Sequence, residues 1–175
     1  MTAVMVNSII LVIIPLLALT ADQMANIMNA MQTDESIEAH NLDDTSRQAL
    51  LDRVIPRMNK IPCDTSLTMF LFTFPQSIVD NSEFLKAILQ CHERRTLCLV
   101  SVDEAHLYAM HGRLFCVAMQ ILQHVLFNVI FAIGVCHPLI LAMTAIMTDS
   151  LLTSFSILTN VQWDASSGDN QTPLV

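Results

Sequence analysis

The stretch that most constrains the fold runs from Leu97 to Phe115, LCLVSVDEAHLYAMHGRLF. A short apolar run ends in Val102, and Asp103, Glu104, Ala105 and His106 follow it. Two carboxylates and an imidazole therefore stand where a buried strand would leave a sheet. In open α/β folds that edge is where ligands bind. An Asp there can hold Mg²⁺ through its waters, and a neighbouring Glu can orient or deprotonate a water that attacks phosphorus. The corner has the character of half a nucleotide-hydrolysing site. Asp-Glu alone would fit any solvated turn; the four-residue run behind an apolar strand says more.

The rest of the chain supplies a sheet for that strand. Residues 4–14 are rich in Val and Ile with little alternation, as in a strand buried on both faces of a parallel sheet. Thr20 with Gln23 forms a capping box, and Met24, Ile27, Met28 and Met31 recur at helical spacing, which predicts a helix over 21–31. Residues 32–43, polar and acidic, predict a solvated loop. Leu50, Leu51, Val54, Ile55 and Met58 mark an amphipathic helix that begins near Asp44 or Thr45 and is disturbed at Pro56. Residues 67–74 read as a strand stopped by Pro75. Asn81 or Ser82 then caps a helix with Phe84, Leu85, Ile88 and Leu89 on its apolar side. After the strand 97–102 come a loop, an apolar helix over 114–131, a strand over 139–143 and a helix from Thr148 or Asp149 to Leu158. Strand and helix in alternation predict a doubly wound, mostly parallel α/β sheet with helices on both faces. One domain is expected over 1–162, with 163–175 a disordered tail.

Composition matters at three points. Hydrophobic residues make up 53% of the 175, so a membrane segment has to be considered. Residues 9–19 are short for a span and lack a basic flank, the first basic residue being Arg47. Residues 114–148 carry no Asp, Glu, Lys or Arg, but Gln120, Gln123, His124 and Asn128 form a polar stripe, and Gly134, His137 and Pro138 interrupt the run. A buried helix, loop and strand is the expectation there, with no membrane partner. The net charge of −8, with Lys60 and Lys86 the only lysines, gives little phosphate neutralisation, so weak DNA binding is expected of this chain alone. Cys63, Cys91, Cys98, Cys116 and Cys136 form no C-x-x-C pair and read as reduced, packed thiols.

In the order of its segments the sequence resembles the superfamily 2 helicases, and in particular the RecQ-like DNA helicases of the DEAH type. Asp103 to His106 is similar to the acidic strand-end motif of that family. Residues 9–23 (IILVIIPLLALTADQ) resemble motif Ia, residues 71–77 (LFTFPQS) motif Ib, and residues 141–147 (LAMTAIM) motif III. The resemblance spans roughly residues 9–162. It implies the first RecA-like, ATP-binding domain of a DNA helicase, with ATP and Mg²⁺ as cofactors and DNA as partner. It places Asp103 on the Mg²⁺, Glu104 on the water, and His106 as the link between nucleotide state and the rest of the domain. Thr144 and Ala145 would transmit hydrolysis to DNA movement. Pro15, Leu16 and the turn with Thr73, Pro75 and Gln76 would lie along a single strand. Tyr108, His111 and Arg113 fall where RecQ-like proteins carry an aromatic-rich, DNA-sensing loop. A nuclear location is implied for a eukaryotic chain, and a cytoplasmic one otherwise. Three positions depart from the pattern: His111 stands for a Trp, Ile146 for the second Thr of motif III, and Gln76 for the Glu of motif Ib.

A phosphate cradle of the form G-x-x-x-x-G-K-[ST] is missing. The only glycines are Gly112, Gly134 and Gly168, and neither lysine follows one. The resemblance then implies a chain that starts downstream of that loop and stops soon after motif III, short of a second RecA-like domain. Such a chain is expected to hold neither ATP nor Mg²⁺ tightly and not to hydrolyse ATP. The strand at 139–143, deprived of the P-loop strand beside it, is expected to be an apolar edge open to self-association. Two other readings remain at this stage: a non-catalytic interaction or nucleic-acid-binding module of the same fold, and a small membrane protein spanning within 114–147.

Overall fold

The computed structural model describes residues 8–14, 26, 29, 36–42, 45–61, 67–110, 117–132, 137–144 and 148–159. Five parallel strands form one sheet in the order β2-β3-β1-β4-β5, where β1 is Ser8–Ile13, β2 Ile37–Asn41, β3 Thr68–Thr73, β4 Leu97–Val102 and β5 Leu139–Ala142. β1 shows no alternation of apolar and polar residues because both of its faces are covered. Ile9, Leu11 and Ile13 enter the main core with Met69, Leu71, Val100 and Val102. Ile10, Val12 and Ile14 enter a second cluster on the other face with Phe72. Phe70 and Phe72 lie with ring centroids 6.3 Å apart.

The main core is closed by helices. Helix α1 covers 47–60, opened by Ser46, whose hydroxyl accepts from Ala49 N at 3.2 Å. Its middle, Leu50–Val54, widens to π-helical turns immediately before Ile55–Lys60. Pro56 has no N–H to continue the i→i−4 ladder, and the register slips just ahead of it. Helix α2 (Pro75–Asp80) and α3 (Ser82–Glu93) follow β3, and the Asn81 carboxamide caps α3 by accepting from Phe84 N at 3.0 Å. Helix α4 (Ala105–Met110) follows β4, α5 covers 117–130 and α6 is Asp149–Thr159, whose Thr148 cap accepts from Leu151 N at 3.2 Å.

Two expectations need correction. The solvated loop expected over 32–43 contains β2, which pairs with β3 from Ile37↔Thr68 to Asn41↔Phe72. An edge strand is half wetted and carries polar side chains without penalty, so its composition reads as loop. The segment after Glu104 is helical, not a loop, from Ala105 to Met110. Of the helix expected over 21–31 only Asn26 and Asn29 are described, and both are helical. The expected tail, 163–175, lies outside the described residues. No helix among the described residues is long and apolar enough to cross a membrane.

Candidate functional site at the carboxyl edge of the sheet

Parallel strands deliver all their carboxyl ends to one edge, and the motif-like segments named above leave from it. β1 ends at Ile13, β3 at Thr73, β4 at Val102 and β5 at Ala142. The backbone ladder runs on through the corner itself. Asp103 N donates to Ile13 O, Met143 N to Val102 O, and Ala105 N to Met143 O, each at 2.9 Å. The turn after β4 is thereby tied to both of its neighbouring strands.

Within that turn Asp103 Oδ1 accepts from the Glu104 N–H at 2.9 Å, which fixes the carboxylate. Its second oxygen meets no donor among the described residues. Glu104 has φ 46°, a left-handed conformation that costs a residue with a Cβ on the order of 1 kcal/mol. The turn aims the Glu104 carboxylate at His106, where Oε2 lies 3.1 Å from Nδ1. Thr144 Oγ1 approaches the same nitrogen at 3.0 Å. A carboxylate can only accept, so the contact with Glu104 calls for a proton on Nδ1. The side chains of His106 and Glu104 are 18% and 31% exposed, open enough to meet a ligand and enclosed enough to hold one geometry.

Asp103, Glu104, His106 and Thr144 therefore form one connected group. The other site residues read from the sequence stand as follows. Thr73 is fully buried, with its hydroxyl donating to Phe74 O at 3.3 Å. Pro75 is buried, whereas Gln76 is exposed and its amide donates to Asp80 at 2.7 Å. Thr73 floors a cavity of about 280 Å³ lined also by Thr45, Arg47, Ser77, Asp80 and Asn81. Tyr108 lies on α4, with its side chain outside the described set. Pro15, Leu16, His111, Arg113 and Ala145 lie outside the described residues. What the sequence did not announce is the left-handed turn at Glu104 and the use of the Met143 carbonyl to anchor α4. Glu is not a residue that favours positive φ, and a backbone acceptor has no sequence signature.

Among the described residues no three His, Cys, Asp or Glu side chains converge as a metal cage. Mg²⁺ seldom needs one, since it keeps its waters and rests on one or two carboxylates plus ligand oxygens. The unpaired oxygen of Asp103 suits that mode. A nucleoside triphosphate is another matter: the sequence has no Gly-rich loop with a Lys to cradle phosphates.

A five-stranded parallel α/β sheet with helices packed on it has a RecA-like fold, and the acidic corner lies at its carboxyl edge. Among solved structures it matches the crystal structure of the DUF1998 helicase MrfA bound to DNA and AMPPNP, with a TM-score of 0.52 and 18% sequence identity over 88% of this chain. The chain spans 20% of that protein's length. No protein-family model matches the sequence, and a search of curated proteins finds no match.

Proposed function

We propose that this chain is part of the first motor domain of a RecQ-like, ATP-dependent DNA helicase, in which Asp103, Glu104, His106 and Thr144 form one half of the hydrolytic site. The observation that carries this reading is the shared contact of His106 with Glu104 and Thr144. It joins the corner that resembles the acidic motif to the strand end that resembles motif III, and that junction is what coupling hydrolysis to motion requires. The helicase-like fold supports the reading.

Each residue's part follows from its geometry. Asp103, pinned through one oxygen, presents the other to Mg²⁺, which when bound would neutralise phosphate charge. Glu104 is held by His106 in an orientation suited to accepting a proton from water. His106 reports the position of Glu104 to Thr144 through one nitrogen. Thr73 and Pro75 are enclosed, so a DNA strand along this edge would meet Gln76 first. On this reading the isolated chain contributes positioning and metal contact, not turnover, and binds DNA weakly and independently of nucleotide.

Mn²⁺ titration followed by NMR tests it. Paramagnetic broadening is expected to centre on the amides of Asp103 and Glu104 and to vanish in Asp103→Asn, while ATP turnover stays at background. Broadening spread over the acidic surface and unchanged in Asp103→Asn would remove Asp103 from the metal role. Mg²⁺-dependent turnover abolished by Glu104→Gln would show that the site is complete, not partial.

A further inference from the structure

The opposite pole of the sheet holds a second feature, independent of the helicase reading. Between the amino ends of β4 and β5 lies a cavity of about 250 Å³, lined by His92, Arg95, Leu97, Cys98, His137, Pro138 and Leu139. We infer that this cavity binds a small ligand with an oxyanion head, a carboxylate or a phosphate- or sulfate-like group, on His92, Arg95 and His137.

Three elements bring those basic groups together. Helix α3 closes with Arg95 N donating to His92 O and Thr96 N to Cys91 O, each at 2.9 Å. That closure puts Arg95 at φ 61° and turns the chain into β4, so residues at the helix end and at the strand start face one space. The Arg95 guanidinium meets no carboxylate among the described residues. His137 donates from Nδ1 to Ile130 O at 3.0 Å, and its ring lies 6.0 Å from that of Phe131, which fixes the ring. Its Nε2 is the nitrogen left for a ligand. His92 is only 8% exposed, and its ring, unlike its backbone carbonyl, makes no hydrogen bond to a described residue. An imidazole at the cavity wall whose ring has no partner there can donate to a bound acceptor.

Among the described residues the lining contains no carboxylate, in a chain whose net charge is −8. The remaining surface is apolar, from Leu97, Pro138 and Leu139, which suits a compact head with a short apolar body. Burial lowers the pKa of His92, the nearby charge of His137 lowers it further, and Glu93 opposes them. Burial raises the Cys98 thiol, so that neighbour stays neutral. His92 is thus mostly neutral near pH 7 without a ligand. An anion would favour its protonated form, and anion affinity must rise as pH falls.

The test follows histidine-ring resonances of the full chain during titration with sodium sulfate, whose charge is constant over the range, and separately with sodium butanoate, at fixed ionic strength in chloride. Saturable shifts are expected at His92 and His137, with affinity at least about tenfold higher near pH 5.5 than near pH 7.5. Arg95→Gly, which suits the left-handed backbone and removes the whole side chain with its guanidinium, should abolish them. His92→Gln should weaken binding and flatten its pH dependence. The sulfate and butanoate arms distinguish a phosphate-like from a carboxylate ligand. Shifts shared equally by His40, His106 and His124, no saturation in either arm, or a response to Zn²⁺ alone would each overturn the inference.

Discussion

His106 concentrates the chemistry of the carboxyl edge in one atom, because Nδ1 is shared by Thr144 at 3.0 Å and Glu104 at 3.1 Å. A shared donor makes its two acceptors interdependent. Thr144→Val should cost about 1 kcal/mol, and Glu104→Gly about as little, since the lost contact is offset by relief of the positive φ. The double variant should depart from additivity by at least about 0.5 kcal/mol, as groups in one network do. Urea unfolding of the four proteins measures this, and strict additivity would mean that His106 serves only one partner. The sequence made these residues legible as separate motifs through Asp103, His106 and Thr144. Their meeting was not legible, because 38 positions separate His106 from Thr144 and nothing local records a contact across adjacent strands.

At the level of elements, β1, β3, β4 and β5 could be read because each is a mostly apolar run without a charged residue. The missed elements share a cause: local chemistry that serves two purposes. Pro75 reads as the stop of a strand and is equally the start of α2, where its missing N–H costs nothing. β2 hid behind polar residues, and those residues hold it. Arg57 on α1 donates to Glu38 Oε1 from Nη2 at 2.8 Å and from Nε at 3.0 Å, and His40 Nε2 lies 3.5 Å from Oε2. Burial alone would raise the Glu38 carboxyl, but its hydrogen bond and charge interaction with Arg57, aided by His40, hold it below its ordinary value. A depressed carboxyl contributes stability above its unfolded pKa and loses it as pH falls through the folded one. The edge strand should therefore loosen below about pH 4.5, seen as faster amide exchange at Ile37 to Asn41 relative to β1. Arg57→Gln should remove most of that pH dependence, at a cost of at most about 1 kcal/mol near neutrality. Equal acid sensitivity in Arg57→Gln would place the source elsewhere.

The two edges of the whole sheet are protected unequally. β2 presents charge, with Glu38 and Arg57 engaged across it, whereas β5 reads LILA and has none. Ile140 and Ala142 pack against the main core, and the alternation sends Leu139 and Leu141 to the other side, 61% and 37% exposed, with Met143 beyond them also 37% exposed. An uncharged apolar edge strand is a template for another strand. The net charge of −8 opposes the approach of a second copy, and salt screens that repulsion while leaving apolar burial intact. Association should therefore grow with protein concentration and also with sodium chloride, the reverse of contacts built on opposite charges. Sedimentation velocity at low and at high salt reads the mass directly. Leu141→Lys should restore the monomer with an unchanged far-ultraviolet dichroism spectrum, because the position is already partly wetted and its long stem can carry the charge to solvent. If Leu141→Lys associates as the parent chain does, the contact lies on another surface, and the β5 edge is covered in solution.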